Sequence, residues 1–337
     1  MDGPPIPKFP HFPSVPLGLA ENMSYRSQMR VQCQKSIKLR KQIQRKCAED
    51  SLFWASTFAW LFEPRPSPKV IPFIPWVHQV PAWKTIERYL GHQDMGIEKS
   101  RAEGASWLAI LIVAHKWLYV PMFTCGLISK DAASVDTPDN MDTLMTKIAW
   151  ELTTLPKWML PLGWDPSKHR KVKDHTIHNP EIQSEIAGFA ATANAAAGGR
   201  KTVFVMDELA KFPRDGVPPA DQAIMDNTLT VSNSRLIIST PYGPEGAYYR
   251  IMHSDSDMVK ITLHWQQNPS RTIGAYAVDV GRDNKRSVRL IDTDFWLDRA
   301  HQKRGQRSLT AVDLPALAAR IMDETDQNPF SYRFMLH

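Results

Sequence analysis

Two adjacent carboxylates, Asp207 and Glu208, directly follow a short apolar run in the sequence KTVFVMDE, which covers residues 201–208. The apolar residues 203–206 have the composition of a parallel strand that is buried on both faces. Ligands of open α/β sheets bind at the carboxyl ends of the strands, where these two acids would lie. Charges beside a buried strand cost free energy unless a metal or a reaction uses them. A strand that ends in a solvated acidic turn is the alternative, and a phosphate-binding loop elsewhere in the chain would favour chemistry.

A candidate for that loop lies in MGIEKSRAEGASW, residues 95–107, which reads as a strand, a loop of small and polar residues, and the start of a long apolar helix near Ser106. Backbone N–H groups and the helix dipole favour an anion at such a helix N-terminus. The standard pattern G-x-x-x-x-G-K-[ST] is not met, because Lys99 stands at the first-glycine position and Ala105 at the lysine position. We expect Lys99 or Arg101 to reach the β- and γ-phosphates. The residues expected to bind phosphate are Lys99, Ser100, Arg101, Ala102, Glu103, Gly104, Ala105 and Ser106.

Residues 62–80 contain several prolines and read as an extended, aromatic-rich loop, followed by a short helix over residues 84–92. Gln79 beside aromatic residues and ahead of a phosphate loop resembles the adenine-reading Q motif of nucleic-acid-dependent ATPases. Its amide could donate to and accept from the adenine edge while a ring stacks on the base. Buried packing of the aromatic residues is the alternative.

The segment KSRAEGASW resembles the deviant Walker A loop of phage large terminases, the motors that package DNA into procapsids. That family often carries its basic residue at the start of the loop, in forms such as K-x-R-x-x-G-x-S, and Glu103 is the departure from that form. The strand that ends in Asp207 and Glu208 resembles the Walker B motif. Ser239 and Thr240, at the end of the strand-like run SRLIIST, resemble the coupling motif III of helicases and terminases. A strand end with a polar turn is the alternative.

Arg200 follows two glycines directly ahead of the acidic strand, as in terminases. The resemblance implies that Arg200 acts in trans as an arginine finger, which stabilises charge on the phosphoryl group bound by a neighbouring subunit. A plain loop arginine is the alternative. The resemblance also implies that Ser106 and Asp207 hold Mg²⁺ and that Glu208 orients the attacking water.

For the fold, the resemblance implies an α/β P-loop NTPase of the ASCE (RecA-like) class, with a central, mainly parallel sheet flanked by helices and a small helical lid. For function, it implies ATP and Mg²⁺ as cofactors, and ATP hydrolysis that translocates double-stranded DNA into a procapsid. The implied partners are double-stranded DNA, other copies of the chain in an active ring (a monomer in isolation), the viral portal protein and the small terminase subunit. The implied place of action is the bacterial host cytoplasm, at the procapsid.

The chain of 337 residues, 43% hydrophobic and 23% charged, suits one large α/β domain with a sizeable core. The formal net charge of +6 permits binding to a polyanion. No apolar stretch approaches the roughly 18 residues of a membrane span, so we expect no membrane partner. We expect four parts, namely a proline-rich extended arm (1–18), a basic helical region (19–62), a P-loop ATPase core (63–283) and a helical lid or linker region (284–337).

Two basic clusters could contact nucleic acid, one within residues 35–46 and one at residues 168–173. Solvated surface is the alternative for both, because most charge runs are solvated. A short strand is expected at residues 182–186, ahead of an Ala- and Gly-rich segment. His175 and His178 lack a third metal ligand, which favours a structural role.

No length remains after the expected core for the RNase H-like nuclease of a complete large terminase, so we expect no nuclease activity. Either the nuclease has been truncated from this chain or it is encoded separately. Two rival functions remain. A helicase-like nucleic-acid-dependent ATPase would share the motifs, but 337 residues cannot hold a second RecA-like domain beside this N-terminal extension. A degenerate P-loop scaffold would bind DNA or capsid proteins without hydrolysis, which Glu103 and Ala105 favour and the intact acid pair disfavours.

Overall fold

The computed structural model describes residues 8–9, 12–65, 67–196, 199–280, 286–293 and 295–296. The chain separates into two compact units, one that ends at Leu263 and one that begins at His264. The helical lid or linker region expected at residues 284–337 lies mostly outside the described residues. Within the described residues, no helix is long and apolar enough to cross a membrane.

The strands of the first unit are β1 Lys8–Phe9, β2 Phe12–Pro16, β3 Trp60–Phe62, β4 Val70–Pro72, β5 Met95–Lys99, β6 Thr124–Ser129, β7 Arg170–Lys171, β8 Thr176–His178, β9 Glu185–Ala190, β10 Val203–Asp207, β11 Arg235–Ser239 and β12 Val259–Leu263. Its helices are α1 Leu19–Lys35, α2 Ile37–Glu49, α3 Ser51–Phe58, α4 Gln79–Tyr89, α5 Ala105–Tyr119, α6 Ala132–Val135, α7 Leu144–Thr154, α8 Pro166–His169, α9 Ala220–Val231 and α10 Gly246–His253. The second unit contains the antiparallel pair β13 Tyr276–Val280 and β14 Arg286–Leu290.

The central sheet has the strand order β12-β5-β11-β10-β6-β9-β8-β7. The strands from β12 to β9 all pair in parallel, and β8 and β7 extend the edge as an antiparallel hairpin. The strand β11 lies between β5, which precedes the small-residue loop, and β10, which ends in the acids. The predicted α/β fold, with a central, mainly parallel sheet flanked by helices, is therefore confirmed.

Composition explains why these segments occupy the core. The residues 203–206 of β10 are all buried, as expected for a central parallel strand with covered faces. The helix α5 is apolar on nearly every side and has eleven buried residues, so it packs inside the unit rather than on its surface. The loop that precedes α5 is thereby fixed between a buried strand and a buried helix.

A buried arginine joins the N-terminal helices to this core. Arg26 of α1 is 2% exposed, and its guanidinium donates to the carbonyl oxygens of Ala55, Ser56, Ala59 and Phe73. Burial lowers the pKa of Arg26 to about 9, although the charge of Glu151 on α7 raises it. Burial also raises the pKa of Glu151 to about 8, against the opposing effects of the Trp60 N–H and Arg26. The region expected to be helical, 19–62, thus contains three helices that end at Phe58, and its last residues form the strand β3.

Two local predictions were wrong. The helix expected at 84–92 is α4, which begins at Gln79, because Pro81 lies in the first turn, where a helix tolerates proline. The strand expected at 182–186 is β9, which begins at Glu185. Asn179 Oδ1 accepts hydrogen bonds from the N–H groups of Glu181 and Ile182, and this turn keeps the preceding residues out of the sheet.

Candidate active site

The two acids stand at the carboxyl end of β10 in different backbone conformations. Asp207 is the last residue of the strand and is half-buried. Glu208 has left the strand and adopts a left-handed conformation with φ of 62°. Its N–H donates to the carbonyl oxygen of Ile238 at 2.7 Å, which holds the turn against β11. A non-glycine residue in this region stores about 1–2 kcal/mol of strain, a cost that often marks functional positions.

Asp207 forms a hydrogen-bonded pair with the first turn of α5. The hydroxyl of Ser106 donates to Asp207 Oδ1 at 2.8 Å. Burial raises the pKa of Asp207, as does the charge of Glu208, while the Ser106 hydrogen bond and the charges of Lys99 and Lys147 act in the opposite direction. Hydroxyl and carboxylate oxygens are ligands that Mg²⁺ prefers, so this pair fits a magnesium site.

The residues between β5 and α5 form a tight loop. Ala102 and Gly104 both have left-handed backbones, with φ of 59° and 74°. Gly104 is required here, because a Cβ would also lie 2.9 Å from Nε2 of Gln79. The N–H of Ser100 donates to the carbonyl oxygen of Leu263, which ties the loop to β12. The loop thus delivers the N-terminus of a 15-residue helix to the same sheet edge as the acids.

Two buried side chains, those of Glu103 and Gln79, stabilise this loop. The side chain of Glu103 is fully buried, and its Oε2 lies 3.3 Å from Nε2 of His78. Gln79 Nε2 donates to the backbone oxygen of Glu103 at 3.0 Å, and Gln79 Oε1 accepts from the N–H of Trp76 at 2.9 Å. Both functional groups of Gln79 therefore bind backbone of this chain, and the acid in the loop is buried beside a histidine.

Lys99 is the basic group that the structure places at the acids. It is 8% exposed, and its Nζ donates to Glu208 Oε1 at 2.7 Å and to Thr240 Oγ1 at 3.3 Å. Nζ of Lys211 lies 2.9 Å from Glu208 Oε2. Burial alone would raise the pKa of Glu208, but the two lysines outweigh burial and lower it. Arg101, by contrast, is exposed on the loop.

The end of β11 connects these groups. Ser239 is fully buried, and its hydroxyl accepts from the N–H of Ala210 at 3.2 Å and donates to the backbone oxygen of Thr240 at 3.0 Å. Ser239 therefore bonds the turn that follows Glu208. Thr240 is connected to Glu208 through Lys99, whose Nζ donates a hydrogen bond to each of them. Both hydroxyls predicted as a coupling motif thus form hydrogen bonds beside Glu208, Ser239 with the turn that follows it and Thr240 with its partner Lys99.

Arg200 is not part of this cluster in its own chain. It is exposed and precedes β10, whereas the acids follow it. The five residues of β10 span about 16 Å, so Arg200 lies at the opposite end of the strand. A role for Arg200 in catalysis thus requires the site of another subunit.

Two lysines at the site were missed by the sequence analysis. Lys211 lies three residues after Glu208, a spacing that could have revealed it. Lys147 comes from α7, and its Nζ lies 5.6 Å from the ring centre of Trp107, the residue after Ser106. Burial lowers the pKa of Lys147, while the charges of Asp207 and Asp142 raise it. No local sequence pattern around Lys147 predicts that it lies at the site.

Comparisons with known proteins give likenesses of structure only. No protein-family model and no curated protein sequence matches the chain. Similar solved structures include the large terminase ATPase domain of Thermus phage P74-26, at 14% identity over 56% of this chain and 82% of that chain, with a TM-score of 0.38. The large terminase of bacteriophage HK97 is 13% identical over 84% of this chain and 53% of that chain, with a TM-score of 0.42.

The large terminase of a thermophilic bacteriophage, solved in complex with ADP, is 14% identical over 58% of this chain and 47% of that chain, with a TM-score of 0.42. This chain therefore spans about half the length of that protein and of the HK97 protein. Phage large terminases are thus among the solved proteins that it is similar to.

Proposed function

We propose that this chain is a P-loop ATPase whose hydrolytic centre consists of the loop before α5 and the acids that follow β10. The observation that supports this proposal is the hydrogen bond between Ser106 and Asp207 at the N-terminus of α5, with Glu208 and Lys99 paired beside it. A scaffold without hydrolysis has no need to bring two carboxylates and a buried lysine to one helix terminus.

The residues present fit ATP with Mg²⁺. Ser106 and Asp207 would hold the ion, and the backbone N–H groups of the loop, together with Lys99, would hold the phosphates. When bound, Mg²⁺ neutralises charge on the β- and γ-phosphates. Gln79 would keep the loop in its binding conformation through the backbone oxygen of Glu103.

Glu208 would orient the attacking water and accept its proton. In the structure one of its oxygens is bound by Lys99 and the other is paired with Lys211. Glu208 must therefore give up at least one lysine before it can act. A phosphate at the loop would compete for Lys99, so binding of the nucleotide would release the carboxylate.

We further propose that hydrolysis drives translocation of double-stranded DNA into a procapsid, by a ring in which Arg200 completes the site of a neighbouring subunit. The terminase-like form K-x-R-x-x-G-x-S of the loop supports this proposal, and so does the position of Arg200, which its own site cannot use. The portal protein and the small terminase subunit would be the other partners.

The test is ATP turnover with and without double-stranded DNA. Glu208→Gln should reduce turnover about 10²- to 10⁴-fold, the usual contribution of a general base, while ATP binding persists. Glu49→Gln, an exposed glutamate at the end of α2, is the matched control and should behave as wild type. Normal hydrolysis by Glu208→Gln would show that the mechanism is wrong. DNA stimulation of wild-type turnover separates a motor from an ATPase without a DNA partner.

The proposed trans role of Arg200 has its own test. Arg200→Ala and Glu208→Gln should each be inactive alone, but mixed rings should regain some activity, because some interfaces then combine an intact Glu208 with an intact Arg200. Assembled mixed rings that remain inactive would count against the trans finger.

A further inference from the structure

A basic surface lies on the outward side of α2 and at the end of α1. These residues are distant in sequence from those of the proposed site. Five side chains there are exposed: Lys35, Lys38, Lys41, Arg45 and Lys46. The sequence contains no aspartate or glutamate between residues 22 and 48. We call this set the α2 basic face.

Acidic groups elsewhere do not neutralise the centre of this face. In the part of the chain that the structure describes, no ion pair involves Lys38, Lys41 or Arg45. Lys46 differs, because its Nζ lies 3.9 Å from the ring centre of Phe53. Uncompensated positive charge on one helix face produces a local field that attracts polyanions.

Buried side chains and hydrogen bonds fix α2, the helix that carries these charges, to the rest of the protein. Ile43 and Cys47 are buried on its inner side, and the Ser36 hydroxyl caps its N-terminus by accepting from the N–H of Leu39 at 3.2 Å. Gln44 Nε2 donates to the backbone oxygen of Trp158 at 2.5 Å. The backbone positions of the basic residues are therefore fixed before any partner binds, which reduces the ordering cost of binding.

The second basic cluster, at residues 168–173, is different. Lys168 lies 3.7 Å from Asp165, and Arg170 is paired with the buried Asp136. His169 stacks on Trp164 with ring centres 5.6 Å apart. Half of the lysine and arginine side chains of this cluster are thus paired with acids of the same chain. The α2 basic face therefore keeps more unpaired positive charge than this second cluster.

We propose that the α2 basic face binds the phosphate backbone of a nucleic-acid duplex, and that in the motor proposed above this duplex is DNA. Lys38 and Arg45 are seven residues apart on one side of the helix and span about 10 Å, the length of about three nucleotide steps of a duplex strand. Only the identification of the duplex as the translocated DNA rests on the proposed function.

The chemistry of the face disfavours other partners. Residues 35–49 contain no aromatic side chain, whereas single-strand binding relies on aromatic stacking platforms. Ile43 and Cys47 of α2 are buried in the protein core and Ile37 alone among its large apolar residues is exposed, so α2 presents no apolar face that could enter a membrane surface. Backbone contacts of this kind should be insensitive to base sequence and sensitive to salt.

The test uses the full chain and fluorescence anisotropy with a labelled DNA duplex over a range of salt concentrations. The variant is Lys38→Gln/Lys41→Gln/Arg45→Gln, and the matched control is Lys168→Gln/Lys171→Gln/Lys173→Gln, which removes the same number of charges. The first variant should lose at least about tenfold in affinity, and its salt slope should fall by about 1 for each phosphate contact removed. The control should bind nearly as wild type.

Several results would overturn the inference: no duplex binding by wild type, equal losses in both variants, or a loss confined to the control. Tighter binding of single strands or anionic vesicles than of duplex, abolished by the first variant, would assign the face to another partner. A duplex RNA arm distinguishes DNA from RNA, and stronger binding of the RNA would overturn the assignment to DNA.

Melting temperature and DNA-independent ATP turnover should be unchanged in the first variant, because the three substituted side chains are exposed and the buried side of α2 is left intact. Loss of turnover in Glu208→Gln together with intact duplex binding in the α2 variant would refute this inference alone. Loss of duplex binding in the α2 variant, with no ATP hydrolysis by wild type, would instead refute the proposed function alone.

Discussion

Nζ of Lys99 lies 2.7 Å from Oε1 of Glu208, so the cation expected to meet a phosphate binds the carboxylate expected to orient water. The same nitrogen donates to Thr240 Oγ1 at the end of β11. One lysine therefore connects the loop before α5, the turn that holds Glu208 and the end of β11, and a nucleotide that attracts this lysine would alter all three at once.

Lys99→Met should weaken ATP binding about 10- to 100-fold, since a hydrogen bond to a charged group contributes about 1.5–3 kcal/mol. Arg101→Met is the matched control, because it removes the exposed base of the same loop. Equilibrium binding of a fluorescent ATP analogue would measure both. A larger loss for Arg101→Met would assign the phosphate to that residue instead, and Lys99→Arg should retain part of the wild-type affinity.

Ser106→Ala should raise the Mg²⁺ concentration needed for half-maximal turnover, because it removes the hydroxyl that pairs with Asp207. Ser106→Thr keeps the hydroxyl and should stay close to wild type. The measurement is ATP turnover titrated with Mg²⁺. An unchanged Mg²⁺ requirement in Ser106→Ala would remove Ser106 from the proposed metal site.

Gln79→Met should weaken binding of ATP and GTP by similar factors, because both polar groups of Gln79 hold backbone near the loop. An adenine-reading glutamine would instead affect ATP alone. The ratio of the ATP and GTP affinities serves as the internal control, because partial unfolding of the variant would weaken both by the same factor and leave the ratio unchanged. A selective loss for ATP would restore the adenine-reading role.

Glu151→Gln should flatten the pH dependence of stability. Burial raises the pKa of Glu151 from 4.5 to about 8, so between these values the folded chain retains a proton that the unfolded chain has lost. Wild-type stability should therefore fall as pH rises through this window, by up to about 1.4 kcal/mol per pH unit from this group. Denaturant unfolding of both proteins near pH 5 and pH 8 would measure the difference. Equal slopes would contradict it, and Glu49→Gln is the exposed control.

Local patterns predicted much of the fold and site. The apolar run before Asp207, and the loop that leads into α5, are continuous in sequence, so β10, β5 and the helix start could be predicted, as could an approach of Ser106 to Asp207. The contact of Lys99 with Glu208 could not be predicted in detail, because it depends on the order of strands in the sheet.

Other features depend on segments distant in sequence. Glu103 was expected near phosphate, but it is buried beside His78, which precedes the loop by a whole helix and a strand. Lys147 is brought to Trp107 by the packing of α7 on α5. Neither contact has a spacing rule, since both arise from tertiary packing rather than from periodicity.

The strand β11 determines how far the loop before α5 lies from the acids that follow β10. Because it stands between β5 and β10, their backbones are separated by two strand spacings, about 9.6 Å. That distance favours a cationic residue with a long side chain at position 99, because the side chain has to reach from β5 to the acids. It also sets the width of the space between the loop and the acids. A one-residue slip of β11 would turn Ser239 to the opposite face of the sheet. The apolar residues Leu236, Ile237 and Ile238, which pair with both neighbouring strands, thus hold the loop and the acids at a fixed separation.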